Sequence, residues 1–281
     1  MQSLQSCDAK HRSNLQSYLT IISCNEERMN IVGLKTLIFQ EIQRFMRVWI
    51  QSLVSPWINA LLYILIFGVV VGSQIGDIAG VRYIDFVLPG IVMMNLIAAA
   101  YMQGAFGLYF KRFAKNIEEI LVAPFSHMEL MIGLMIAGIV RGLVVGFGVY
   151  LMALFFTTAT ISHVFLFLFY SIAVSLIFSF IGLLIGLWSD NFEQLSVLQT
   201  FVITPLTFLG GVFNSVQMLP EQVQFFVKLN PFFYFVDGLR YAMIGVSEAN
   251  TLVGLVLIFS CIVGLGGWTW YLFKIGWRIR T

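Results

Sequence analysis

Residues 111–126 read KRFAKNIEEILVAPFS, a charged island between two long apolar stretches. Within it Phe113, Ile117, Ile120 and Leu121 recur at spacings of four, three and one. That puts an apolar stripe on one side of a helix and leaves Lys111, Arg112, Lys115, Glu118 and Glu119 for water or a partner. Asn116 can cap this helix, with Glu119 reaching back three residues on in a relative of the capping box, and Pro124 ends it. About four turns of amphipathic helix, at ~3.6 residues per turn, interrupt an otherwise greasy chain. The flanks supply the reason.

Of 281 residues, 59% are hydrophobic and 11% charged, with a mean hydropathy of +0.89. Soluble domains carry roughly a quarter charged residues, so water is not the main solvent of this chain. The net charge of +2 is small and points to no nucleic acid; what matters is where the sixteen Lys and Arg residues sit. Cys7, Cys24 and Cys261 are odd in number and widely separated, and match neither a disulfide framework nor a CxxC metal pair. Residues 1–28 are polar, lack the apolar core of a cleaved signal peptide, and read as a disordered leader before a domain over 29–281. Met29 is a candidate translation start; mass spectrometry that found residue 1 or 2 at the native N-terminus would refute it.

A bilayer core of about 30 Å needs roughly 20 apolar residues in a helix. Charge-poor windows of that length occur at 55–75, 86–110, 130–156, 164–188, 195–213 and 252–273, which predicts an all-α membrane protein of six spans. Ahead of the first, LKTLIFQEIQRFMRVWIQSL places Leu34, Ile38, Ile42, Phe45 and Trp49 near one helical face and Lys35, Glu41, Arg44 and Arg47 elsewhere. This predicts a helix lying in the membrane interface, its basic residues reaching lipid phosphates. With both termini cytoplasmic, that side receives twelve Lys and Arg residues, from Lys10 to Arg280, and the outer side only Arg82, Lys228 and Arg240. The positive-inside rule therefore places the charged island in the cytoplasm. In TPLTFLGGVFNSVQMLP, Pro205 and then Gly210-Gly211 break the fifth span, and Asn230-Pro231 divides the segment beyond the break, so 209–250 reads as a re-entrant or interfacial hairpin on the outer face.

NIEEILVAPFS, TPLTFLGGVFNSVQMLP and LNPFFYFVDGLRY together resemble the transmembrane subunit of ABC-2 type transporters, and among them the YadH-like bacterial inner-membrane permeases. The resemblance runs from about Ile31 to the C-terminus. It implies a connecting helix, six spans, a cytoplasmic coupling helix after the second span and an outer hairpin between the fifth and sixth. Asn116, Ile117, Glu118, Glu119, Ile120, Leu121 and Pro124 would form the coupling helix, with the glutamates meeting basic groups on a separate cytoplasmic ATPase and Ile120 and Leu121 filling its groove. The resemblance also implies an assembly of two permeases and two ATPases that exports its substrate across the inner membrane, with a pathway between the permeases lined mainly by the second and fifth spans. Polar positions on those spans, Asn95, Tyr101, Gln103, Gln199, Thr204 and Thr207, are then lining candidates; the plainer role is hydrogen bonding to backbone or across helices within the bundle.

Three alternatives are weighed by chemistry. A Walker A loop needs GxxxxGK[ST], and the chain has no Gly-Lys dipeptide, so ATP and magnesium belong to the partner and this chain needs no cofactor. An ion-coupled secondary transporter or a channel would place charge near the midplane, where Arg141 is the candidate, roughly 16 Å into the third span at ~1.5 Å per residue. At a cost of about 2.5–3.5 kcal/mol it should face protein, a cavity or a snorkelling route, and no acidic residue in the spans is an obvious partner. For a membrane enzyme, His11, His127 and His163 lie in the leader or at span ends, with no HExxH or GxSxG, so no catalytic residue and no metal site is assigned. Asp190 and Glu193 either meet the ATPase or cap the fifth span, and Asp237 with Arg240, three apart, reads as a surface ion pair.

Overall fold

A computed structural model describes residues 31–75, 77–78, 80–113, 126–157 and 161–278. The coupling positions from Asn116 to Pro124 and the leader lie outside these residues. The described residues are helices and connecting turns apart from one minute pair of strands. An amphipathic helix, α1 (Ile31–Arg47), leads into a long helix, α2 (Ile50–Ile75). Two-residue strands β1 (Asp77–Ile78) and β2 (Val81–Arg82) pair antiparallel, with Gly80 at φ 80° in the turn. There follow α3 (Tyr83–Phe113), α4 (His127–Ala153) and α5 (Val164–Trp188). Then come α6 (Phe192–Leu198) and α7 (Thr204–Leu209), the hairpin helices α8 (Glu221–Leu229) and α9 (Pro231–Ile244), and α10 (Thr251–Ile275).

Among the described residues five helices, α2, α3, α4, α5 and α10, are long and apolar enough to cross a membrane. The fifth predicted span is a continuous helical rod over 192–209: α6 passes through a π-helical turn over Gln199–Ile203 into α7, which ends at Gly210-Gly211. The π turn lies just ahead of Pro205, which has no N–H and crowds the preceding turn. The wider π turn relieves that crowding, and Thr204 directs both its N–H and its hydroxyl to Gln199 O. The same device starts the first span early. A π turn over Ile50–Val54 precedes Pro56, so the helix begins five residues ahead of the predicted position 55.

The core is built round α3. In its most apolar stretch 78% of the residues are buried, against 11% for α2 and for α10. Helix α5 approaches α3 almost backbone to backbone: a Cβ at Gly182 would lie 2.3 Å from Tyr101 O, and one at Gly104 2.7 Å from Ser179 O. Small residues at such crossings let dispersion act at short range where lipid removes any hydrophobic drive. Helix α4 packs on the same pair, with Val145 and Val149 buried. Helix α9 closes the Tyr83 end, where Gly90 lies against Val212 just past the end of α7. Asn230 caps α9 by accepting from Phe232 N–H, Pro231 fills its first turn, and Gly245 ends it at φ 73°.

Candidate functional site

The polar centre of the molecule lies where α1 crosses the Lys111 end of α3. On α1 the buried line is Leu37, Glu41 and Phe45, one residue per turn, and Trp49 is exposed. Of the predicted face through Leu34, Ile38, Ile42, Phe45 and Trp49, Phe45 is buried, Leu34, Ile38 and Ile42 are half-buried and Trp49 is exposed, so the inward line is turned toward Leu37, and Glu41, expected off the apolar face, is 2% exposed. Its carboxylate is held from several sides. Arg44 Nη2 lies 2.6 Å from Oε2, Lys111 Nζ lies 3.1 Å from Oε1, and Gln103 Nε2 donates to Oε2 at 3.3 Å. Arg141 Nη1 then donates to Gln103 Oε1 at 3.2 Å. The amide is turned in the way that offers a donor to the carboxylate and an acceptor to the guanidinium.

Arg141 thus finds its partner through Gln103 and an acid on α1, outside the spans in which sequence reasoning sought one. Two cations, Arg44 and Lys111, touch one buried carboxylate and a third, Arg141, is linked to it through Gln103; Gly107 leaves room for the Arg44 pair, since a Cβ there would sit 3.1 Å from Arg44 Nη2 and 3.5 Å from Glu41 Oε2. The network joins α1, α3 and α4 at one point. Beside it opens a polar groove of about 390 Å³ lined by Gln40, Gln43, Arg44, Arg47, Phe110 and Lys111, with Glu41 also on its wall. The next residue of α3, Arg112, donates through Nη1 to Gly186 O, Leu187 O and Ser189 O at 2.9, 2.8 and 3.2 Å. It satisfies the end carbonyls of α5 and complements that helix dipole. Both cations at the root of the charged island are therefore occupied within the fold.

The remaining predicted residues are dispersed. Tyr101 is fully buried and donates to Leu195 O at 2.8 Å. Asn95 and Thr207 donate to carbonyls of their own helices, Ile91 O at 2.9 Å and Ile203 O at 2.6 Å, and Thr204 does the same to Gln199 O. Gln199 is partly exposed with a buried Oε1. Each polar side chain named on α3 is enclosed by the chain itself. The line of that helix left partly open is Met94, Ala98, Met102, Phe106 and Phe110.

Two ion pairs depart from expectation. Asp190 faces Arg278 at 3.3 Å, the N-cap position of α6 is taken by Asn191 without a side-chain bond, and Glu193 lies in the first turn, so neither Asp190 nor Glu193 is the cap. Asp237 and Arg240 are not at the surface: their side chains are 3% and 0% exposed at 3.5 Å. Arg240 also donates to Gly211 O and Phe86 O, and its guanidinium carbon lies 4.0 Å above the Phe86 ring. Asp237 accepts from Ser247 Oγ and from the N–H groups of Glu248 and Ala249 at 2.9–3.0 Å. Glu248 in turn accepts from Ser215 and from Val216 N–H. A buried polar web thereby pins the hairpin to the Gly-Gly break and to the start of α3. Among the described residues no three His, Cys, Asp or Glu side chains converge to hold a metal.

Comparison with known proteins agrees with this architecture. A family model described as ABC-2 type transporter matches residues 32–244. The chain is 39% identical over 253 residues to the inner membrane transport permease YadH of Escherichia coli (strain K12), covering 89% of this chain and 98% of that protein. It is 24% identical over 205 residues to nodulation protein J of Rhizobium meliloti (strain 1021), covering 71% and 76%. A nodulation protein J of Rhizobium leguminosarum bv. viciae is 23% identical over 220 residues, 76% of this chain and 83% of that one.

Proposed function

The chain belongs to the ABC-2 type transporter family, and from that membership we propose that it is the membrane-embedded, non-catalytic half of an ATP-driven exporter in a bacterial inner membrane. A separate cytoplasmic ATPase binds ATP and magnesium. Two permeases and two such ATPases form the working assembly. The rod of α6, its π turn and α7 makes the sixth crossing, and both termini face the cytoplasm. Residues 116–124 dock in the ATPase, with Glu118 and Glu119 on its basic groups and Ile120 and Leu121 in its groove.

The observation that carries this reading is the position of the Glu41 network. It grips Lys111, just ahead of the segment assigned to docking, and connects it to α1 and through Gln103 to Arg141. Force delivered to 116–124 would reach three helices through this network. The test is charge reversal of both Glu118 and Glu119 in the chain coexpressed with its ATPase. The double variant should insert at normal levels while ATP-dependent flux falls to background. Undiminished flux would place the handle elsewhere, and flux that follows a proton gradient with no ATPase present would refute the whole reading.

A further inference from the structure

The polar groove beside Glu41 carries more positive charge than the fold uses. Arg44, Arg47 and Lys111 face it against the single carboxylate of Glu41, and Arg141 stands behind through Gln103. Both oxygens of that carboxylate are engaged, Oε1 by Lys111 and Oε2 by Arg44 and Gln103. Arg47 is exposed in the last turn of α1, and neither its side chain nor those of Gln40 and Gln43 have a hydrogen-bond or ionic partner among the described residues. The groove wall therefore offers a surplus of N–H donors and no carboxylate oxygen left free.

Its depth says which anion can reach it. Lys111 stands 28 residues past Tyr83 along α3, roughly 42 Å at ~1.5 Å per residue, and a bilayer with its headgroups is about 40–45 Å thick. Arg47 lies three residues ahead of α2, the first span. The groove thus opens where two spans leave the hydrocarbon, in the layer of lipid phosphates. Phe110, 43% exposed on its wall, gives an apolar edge for the start of an acyl chain.

Arg44 and Arg47, three apart, are neighbours on the surface of α1, so two guanidinium forks can close on one phosphodiester. Gln40 and Gln43 add amides that bond the hydroxyls of a headgroup such as glycerol. An ammonium headgroup fares worse. It would bring a further cation to a wall whose one carboxylate is already engaged, so a zwitterionic lipid is disfavoured.

We propose that this groove is a site for one resident anionic glycerophospholipid, its phosphate held between the arginines of α1 and Lys111, so that the lipid clamps α1 to that end of α3. The proposal goes beyond the exporter reading and takes from it only the leaflet, the cytoplasmic one.

Lipid titration of the purified, delipidated full chain in neutral detergent tests it. Phosphatidylglycerol should bind at one molecule per chain by native mass spectrometry and raise the unfolding midpoint by several degrees. Phosphatidylethanolamine with the same acyl chains should bind about tenfold less tightly. Arg47→Gln, which removes no side-chain contact within the fold, should weaken phosphatidylglycerol about tenfold, and Arg47→Lys should recover part of the loss because charge returns without the fork. Lys35→Gln, which removes another exposed cation of α1 away from the groove, should leave binding unchanged. Equal affinity for the two lipids, or equal weakening by Lys35→Gln, would show mere surface charge and overturn the proposal. Full stabilisation by inorganic phosphate alone, or phosphatidylglycerol without effect on either readout, would overturn it as well. No arm needs ATP, substrate or the ATPase, so failure here leaves the exporter reading standing, and failure of coupled flux leaves the bound lipid in place.

Discussion

Glu41 is a carboxylate almost without contact with water, and its neighbours make it tolerable in free energy. Replacing it by Gln keeps the shape and leaves Lys111 and Arg44 without a counter-charge. Breaking a buried pair typically costs about 3–5 kcal/mol. Arg44 is 36% exposed and partly screened, so about 2–3 kcal/mol is expected here, read as a lowered thermal unfolding midpoint of the purified protein in detergent. Adding Lys111→Met to Glu41→Gln should recover part of the loss, because the stranded cation is then gone. A stable single variant would show the network to be incidental. The burial of Glu41 was legible in principle. Leu37, Glu41 and Phe45 are spaced four apart, a line as regular as the one through Leu34, Ile38 and Ile42, and the acid alone disguised it. No property of the chain read residue by residue reveals that Lys111 and Gln103, more than sixty positions away, complete the site.

Elements were more legible than residues. Length and apolarity suffice to locate spans, and the helix over 164–188 begins and ends where its apolar run does. Boundaries shifted where a local rule intervened. A capping box at Ser126, whose N–H is accepted by Glu129, starts α4 at His127 rather than 130, and the π turn before Pro56 lengthens α2. The Asp237–Arg240 pair looked superficial because three-residue spacing on a helix says nothing of what lies above it. Helix crossings were not legible at all, since they depend on which glycines meet. Their consequence is testable. Gly182→Ala would drive a Cβ into Tyr101 O and force α5 from α3, costing about 1–3 kcal/mol as overpacking. Gly264→Ala on α10 meets nothing within 4 Å and should be neutral or stabilising by up to about 1 kcal/mol, since Ala is the better helix former. Both are read as changes in detergent unfolding midpoint; equal effects would deny the close crossing.

The molecule as a whole has one end defined by Lys111, Arg112 and Arg278 and another by Arg82, the hairpin and Asp237. On the proposed orientation, a cysteine at Lys274 should react with a membrane-impermeant maleimide only after the membrane is opened, and one at Lys228 should react in intact cells. Reversed labelling would invert the topology and with it the site of ATPase docking. The enclosed position of α3 also bears on how the chain is made. Its most apolar stretch is more than three-quarters buried, and much of that cover comes from α5, whose last residue, Trp188, is synthesised 75 residues after Phe113. At roughly 5–20 residues per second the ribosome needs roughly 4–15 s to deliver it. For that interval the close face of α3 at Gly104, which α5 meets backbone to backbone, is without its partner, whereas Gln103 and Asn95 already have theirs in Glu41, Arg141 and Ile91 O.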